Sequence, residues 1–301
     1  MSNPILAFSA RRRMRSIRTP LLLTLYALLL AVVAYLAVYR PFVGATVTLA
    51  DMRGSVTGYA LLVILQFGLI VLVAPAMTAG SISGERERQT LDLLLVTNTG
   101  TLRLVLGKLM ESFGFLALMV LCSMPVLSLV LLTGGATLLQ VLTSVAFLLL
   151  TALAALCVGL FCSTMFKRTV TATVVSYLTV FALGLVTLIP LWYDVKQIGK
   201  LYDAMNIAGQ KLHMIEYKPI SFTISPALGL FALLEDQTKL FQNYLWQFSY
   251  TLGNTRAYLR LGDYALYHMA FLAAASAALT GLAALNMRVR RNRKPKGKRK
   301  A

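Results

Sequence analysis

The chain has 301 residues, of which 58% are hydrophobic and 13% are charged, and its formal net charge is +18. Soluble domains carry about 25% charged residues, so this composition excludes an ordinary soluble domain and predicts an integral membrane protein. The basic residues cluster beside apolar runs near both ends. That placement fits anionic lipid headgroups and membrane orientation better than a nucleic-acid groove, so we expect the lipid bilayer, and no nucleic acid, among the partners.

The elements in chain order predict an all-α fold. Residues 1–19 mix apolar side chains with arginines, which is typical of a helix lying in the cytoplasmic membrane interface. Residues 20–193 contain five apolar runs and residues 264–287 a sixth, each about long enough to cross a bilayer. Pro125 predicts a kink in the third run. The six predicted transmembrane helices are at 21–39, 58–78, 113–132, 138–165, 169–192 and 264–287.

The distribution of lysines and arginines predicts the orientation. Both termini, including the basic tail at 288–301, belong in the cytoplasm together with residues 79–112 and 164–168, because most of the basic residues then lie inside. Gly134 and Gly135 turn the chain on the opposite side.

The polar segment at 81–98 interrupts the apolar runs with four consecutive charges. If it forms one helix, Leu91, Leu94 and Leu95 share an apolar face, and Arg88 pairs with Asp92 one turn further on. The segment is then a short amphipathic helix at the membrane surface, where a water-soluble partner can reach it. A solvated loop with balanced charges is the alternative.

The last external loop, residues 194–263, contains two apolar stretches at 219–234 and 241–253. Both are too short to cross the membrane and too apolar to lie in water, so we expect re-entrant or interfacial helices. A small folded cap outside the membrane is the alternative interpretation.

Little in the sequence points to chemistry within this chain. The six runs contain no Asp, Glu, Lys or Arg, which argues against an ion-coupled carrier. No phosphate-binding loop is present, and neither a catalytic motif nor a metal-binding motif is found. His268 is expected to be a packed histidine. A membrane enzyme would have to use Asp203, His213 and Glu216 of the external loop.

Four polar residues lie inside the apolar runs, where helix-to-helix hydrogen bonding is the first explanation. A path for a transported substrate is the second. These residues are Gln66, Gln140, Thr143 and Ser144.

The amino-acid sequence of the charged segment also resembles a segment of a known protein family. ISGERERQTLDLLLVT, at 82–97, closely resembles the corresponding segment of ABC-2 type transporter permeases, and Gly107 with Lys108 matches the GK pair that follows it there. NPIL at 3–6 and GLFCSTMFKRTVTATVVSYL at 159–178 are similar to the same family, and SPALGLFALL at 225–234 looks like its re-entrant region. One departure is Gln89, which stands where the family usually has glycine.

The resemblance implies the membrane subunit of an exporter in a prokaryotic plasma membrane. Such a half-permease pairs with a second permease, identical or not, and with two copies of a cytoplasmic ATPase subunit that binds ATP and Mg, so this chain would hold no cofactor and have no catalytic residue. A membrane anchor that transduces force without transport is an alternative. The resemblance makes the charged segment a coupling helix and implies ATPase contacts by Glu85, Arg86, Glu87, Arg88, Thr90 and Asp92, with Lys167 and Arg168 as a second contact.

Overall fold

The computed structural model describes residues 17–39, 49–91, 100–186, 189, 193, 196, 221–238 and 262–292. The described part is 90% helical and contains no β-strand, as an all-α membrane protein requires. The helices are α1 Arg18–Ala34, extended by a π-helical turn at Tyr35–Tyr39, α2 Leu49–Ala79, α3 Ser83–Glu87, α4 Thr101–Cys122, α5 Met124–Leu132, α6 Leu138–Met165, α7 Thr169–Val186, α8 Ser221–Ile224, α9 Pro226–Thr238 and α10 Gly262–Asn292.

Five stretches of the described chain are long and apolar enough to cross a membrane, as in a multi-pass membrane protein. The run predicted at 169–192 begins with α7, whose described part is apolar but shorter than a membrane span, and most of residues 187–192 lie outside the described part. Residues 1–16 and 293–301 lie outside the described part, and with them most of the predicted interfacial helix and tail. The five stretches are Thr19–Tyr39, Gly54–Glu87, Thr101–Leu132, Leu138–Met165 and Ala265–Arg288.

A helix break lies next to Pro125 and a turn lies at Gly134, at the positions that the sequence predicts. The third run breaks at Ser123, two residues before Pro125, and separates α4 from α5. Gly134 has a φ of +71°, a left-handed conformation that suits glycine, and it begins the turn into α6. Thr137 and Gln140 then form a capping box at the first turn of α6, which satisfies backbone donors that would otherwise be unpaired.

The central helix of the bundle is α6, which packs against α2, α4, α7 and α10. Helices α2 and α6 run in the same direction, because Tyr59 contacts Ser144 and, further along both helices, Thr78 contacts the carbonyl of Leu156. Helix α10 has that direction too, since His268 lies beside Phe147 and Asn286 bonds Thr164.

Helix α7 runs the opposite way to α2. Its start at Thr169 bonds Glu87, near the end of the α2 and α3 stretch, whereas Tyr177 further along α7 bonds the carbonyl of Leu72, which comes earlier in α2. Direction therefore reverses from α6 to α7 and again from α7 to α10. This alternation is what successive membrane crossings require.

The segment between α7 and α10, predicted to be an external loop, contributes two described helices, α8 and α9, which pack on α10. His268 of α10 is fully buried, as expected for a packed histidine, and its Nδ1 lies 2.7 Å from the Thr223 carbonyl of α8. Its ring also lies against Gly229 of α9, where only glycine leaves room for it. The stretch predicted at 219–234 is thus helical and protein-packed, while the stretch at 241–253 falls outside the described residues.

Alanine at Gly229 should lift α9 away from α10. The added Cβ would lie 2.6 Å from Cγ of the His268 ring, and the ring cannot easily move because Thr223 and Phe147 hold it. Overpacking of this kind costs about 1–3 kcal/mol. We expect a lower melting temperature in detergent, whereas Gly281→Ala on α10, where the new Cβ meets no atom within 4 Å, should change it little. Equal melting temperatures for the two variants would contradict this packing.

Candidate functional site

The charged segment begins as the short helix α3, and α6 holds the start of that helix. The Ser163 hydroxyl of α6 accepts hydrogen bonds from the backbone N–H groups of Ile82 and Ser83, each at 2.9 Å. These are donors that the first turn of a helix leaves unpaired. The Ser163 hydroxyl, which comes from a helix distant in sequence, therefore caps the N-terminus of α3.

A tight backbone motif ends α3 at Gln89. The N–H of Thr90 bonds the carbonyl of Glu85 at 2.9 Å, and the N–H of Gln89 bonds the carbonyl of Arg86 at 3.1 Å. This pair of bonds is a Schellman motif, whose central residue adopts a left-handed conformation. Gln89 has a φ of +57°, which is uncommon for a residue other than glycine.

The segment at 81–98 is thus not one continuous helix, and that expectation was wrong. The reversal at Gln89 removes the one-turn spacing on which the predicted Arg88 and Asp92 pair depended. Asp92, Leu94 and Leu95 lie outside the described residues. The charges are presented by a single helical turn followed by a sharp bend.

Gln89 gives a direct test of that bend. Glycine adopts a positive φ at little cost, whereas a β-branched side chain does not, so Gln89→Val should cost about 1–2 kcal/mol and Gln89→Gly should be neutral or mildly stabilising. Differential scanning fluorimetry of both variants measures the difference. If valine is tolerated as well as glycine, residue 89 is not left-handed.

Glu85 ties this bend to the following helix. Its carboxylate accepts a hydrogen bond from the Thr90 hydroxyl at 2.7 Å. It also forms an ion pair with Lys108 of α4 at 3.3 Å. Both side chains of the ion pair are only partly buried, which makes it a modest contribution. Thr90 therefore supports the segment through its bonds to Glu85.

Arg86 and Glu87 clamp the turn between α6 and α7. The Arg86 guanidinium donates to the carbonyl of Phe166 at 2.7 Å and to that of Thr164 at 3.3 Å, at the negative end of α6. The Glu87 carboxylate accepts from the N–H of Thr169 at 3.0 Å and from its hydroxyl at 2.6 Å, at the positive end of α7. Each charge thus meets the helix end of opposite polarity.

The same contacts fix how Glu85 and Glu87 titrate. A bilayer core of about 30 Å takes about 20 residues, so the charged end of the Gly54–Glu87 stretch extends beyond it. Partial burial alone would raise the pKa of Glu85, but the Thr90 bond and the charge of Lys108 outweigh it and lower the pKa. The Thr169 bonds lower the pKa of Glu87. A lowered pKa means that both contacts stabilise the fold at neutral pH and are lost as the pH falls through the lowered values.

Three predicted contact residues point outward instead. Arg88, Lys167 and Arg168 are exposed, and within the described part of the chain none of their side chains makes a hydrogen bond or an ion pair. Arg88 is close enough to Glu85, and Arg168 to Glu87, to act on those carboxylates electrostatically. The charges of Arg88 and Arg168 are thus partly balanced by these carboxylates, while all three side chains stay exposed to another surface.

At the opposite end of the bundle, three of the predicted path residues meet in one polar cluster. Gln140, Thr143 and Ser144 of α6 surround the side chain of Gln237, which comes from α9, and Tyr59 of α2 completes the group. The structure brings these residues together from helices far apart in sequence. The cluster fastens α9 onto the bundle.

Gln66, the fourth predicted path residue, stands apart from this cluster. It lies two helical turns further along α2, is fully buried, and neither its Oε1 nor its Nε2 has a hydrogen-bond partner among the described residues. A buried amide without partners is uncommon and expensive. Helix-to-helix bonding therefore explains the other three residues but not Gln66.

Sequence reasoning missed Ser163, Thr169, Tyr59 and Gln237. Their partners lie 80 or more residues away along the chain, so no local spacing indicates the contacts. Only Thr169 carried a signal, because it follows Lys167 and Arg168 at the start of an apolar helix.

The described residues contain no group of three or more His, Cys, Asp or Glu side chains placed to hold a metal ion. Asp203, His213 and Glu216, which the enzyme alternative needs, lie outside the described part. Compared with profiles of protein families and with curated proteins, the sequence gives no match.

Proposed function

We propose that this chain is the permease subunit of an ATP-driven ABC exporter of the ABC-2 type, with six membrane crossings and both termini in the cytoplasm of a prokaryotic cell. The similarity of the charged segment to such permeases supports this, as does the alternating direction of α6, α7 and α10. A separate ATPase subunit, present in two copies, binds ATP and Mg and does the hydrolysis. A second permease completes the membrane assembly.

One observation carries the proposal: α3 is bonded to the adjoining ends of the helices that form the bundle. Ser163 and Arg86 join it to α6, Glu87 joins it to α7, and Glu85 joins it to α4. A push on α3 therefore reaches three long helices at once rather than deforming a loop. Packed helices move as units, so these bonds between α3 and the helices α4, α6 and α7 would convert closure of a soluble partner into rocking of the bundle. We call this bonded arrangement the seat of α3.

The exposed cations beside α3 are the side chains that we expect to meet the ATPase subunit. Glu85, Arg86 and Glu87 are engaged within this chain, which leaves Arg88, Lys167 and Arg168 to contact the ATPase. These three come from two chain segments that Glu87 joins. An ATPase surface with acidic groups facing them would bind by charge complementarity, which acts mainly on association rate and specificity.

The test is co-purification of the ATPase subunit with the full-length permease. Reversing the charge of Arg88, Lys167 and Arg168 to Glu should abolish co-purification and ATP-dependent transport into inverted vesicles. Arg103→Glu is the matched control, because Arg103 is another exposed arginine near the start of α4. Intact co-purification by the triple variant would refute the interface. Co-purification without transport of any substrate would favour the force-transducing anchor.

A further inference from the structure

The polar cluster at the end of α9 offers both hydrogen-bond donors and acceptors to a carboxamide. Oε1 of Gln237 lies 2.9 Å from the Tyr59 hydroxyl and 3.1 Å from the Ser144 hydroxyl. Nε2 donates to the Gln140 carbonyl at 3.1 Å and to the Thr143 hydroxyl at 2.8 Å. An amide has two acceptor positions on oxygen and two N–H donors, and here both N–H donors and one acceptor position have partners.

The hydroxyl protons are consistent with this arrangement. Tyr59 and Ser144 lie 2.7 Å apart and have one proton each. One hydroxyl donates to Oε1 of Gln237, and the other donates to its neighbour. None of Tyr59, Gln140, Thr143 and Ser144 is charged at neutral pH, so the cluster suits a neutral amide better than an ionised carboxylate, which has no N–H to donate.

We infer that Tyr59, Gln140, Thr143 and Ser144 form a binding pocket for the amide group of a ligand, and that Gln237 occupies this pocket as an internal stand-in. The inference rests on the proposed function, since it names the substrate class of the same membrane path as compounds with a primary carboxamide, such as peptides that contain glutamine or asparagine. The pocket belongs to α2 and α6, whereas its present occupant belongs to α9. Release of α9 would empty the pocket and would also free the Gln140 side chain, which donates to the Gln237 carbonyl at 2.8 Å.

The seam between α2 and α6 holds a second amide-binding element. Gln66 lies between the Tyr59 contact with Ser144 and the Thr78 contact with Leu156, and it is fully buried with both polar atoms unpaired in the described structure. Native proteins seldom leave a buried amide unpaired unless another group reaches it. A ligand amide leaving the pocket along this seam would meet it next.

The test uses the full-length chain in lipid nanodiscs and isothermal titration calorimetry. The probe is the tripeptide Ala-Gln-Ala, and Ala-Glu-Ala and octanamide are comparison probes. Gln237→Ala should bind Ala-Gln-Ala about tenfold more tightly than the parent chain does, because an internal competitor reduces the apparent affinity by the fraction of open pockets. Ala-Glu-Ala should show no such gain. Octanamide binding in place of tripeptide binding would assign the ligand to the membrane rather than to water.

Ser144→Ala in the Gln237→Ala background should remove the gain. Ser276→Ala is its matched control, because Ser276 is a buried serine of α10 that bonds a carbonyl of its own helix. If Gln237→Ala does not fold, as judged by gel filtration, Gln237→Ser replaces it. Equal affinity of the opened and parent chains for Ala-Gln-Ala, or a gain that survives Ser144→Ala, would overturn the inference. The binding assay contains no ATPase, so loss of ATPase co-purification tests the proposed function separately.

Discussion

Alanine at Gly159 is expected to lower the free energy of unfolding by about 2–3 kcal/mol, the upper part of the range for overpacking. The added Cβ would collide with the Thr78 hydroxyl and would lie 3.0 Å from the Pro75 carbonyl oxygen. Neither atom can move away cheaply. The Thr78 hydroxyl is bonded to the Leu156 carbonyl at 2.9 Å, and the Pro75 carbonyl belongs to the backbone of α2.

The size of this effect follows from where the contact lies. At Gly159 the two parallel helices α2 and α6 are in close contact. The bond between Ser83 and Ser163, which holds the start of α3, follows a few residues later in both segments of the chain. Separation of the helices at Gly159 would therefore weaken the bonds that hold α3 as well as the contact between α2 and α6. Gly159→Ala should reduce ATPase co-purification even though residue 159 touches no partner.

Thermal unfolding in detergent measures the effect, and Gly114→Ala on α4 is the matched control. No atom lies within 4 Å of a Cβ at Gly114, so that change should be neutral or slightly stabilising, as alanine is favoured over glycine in helices. A double variant, Gly159→Ala with Thr78→Ala, should recover part of the loss, because it removes the colliding hydroxyl. Additive losses from the two changes would show that the residues do not interact.

Much of this fold could be predicted from local sequence pattern. Long apolar runs predicted the membrane-length helices, Pro125 predicted the break at Ser123, and Gly134 predicted the turn before α6. Each of these features depends on residues close together in the chain.

The internal use of the charged segment could not be predicted in that way. Four consecutive charges indicate an exposed surface, but only the three-dimensional arrangement brings Arg86 to the last carbonyls of α6 and Glu87 to the first N–H of α7. The same applies to Gln237, which reaches residues 93 and more positions away. Contacts between helix ends depend on packing of the whole bundle, which local periodicity does not encode.

Arg86 and Arg88, two residues apart in the charged segment, are expected to give opposite results when the charge is removed. Arg86→Met keeps the aliphatic stem but loses two hydrogen bonds from a charged donor to the carbonyls of Phe166 and Thr164. Hydrogen bonds of this kind contribute about 1.5–3 kcal/mol, reduced here because the guanidinium is only partly buried. Arg88→Met removes an exposed charge and should leave the stability of the isolated chain unchanged.

Hydrogen exchange measured by mass spectrometry separates these roles. In Arg86→Met, amides of residues 82–90 should exchange faster, because the turn that carries them is no longer fastened to α6. In Arg88→Met, exchange in the isolated chain should match the parent, while affinity for the ATPase subunit falls. Arg86 would then be a positioning residue and Arg88 a contact residue. Faster exchange in both variants would show that Arg88 also fastens the turn, and the contact surface would reduce to Lys167 and Arg168.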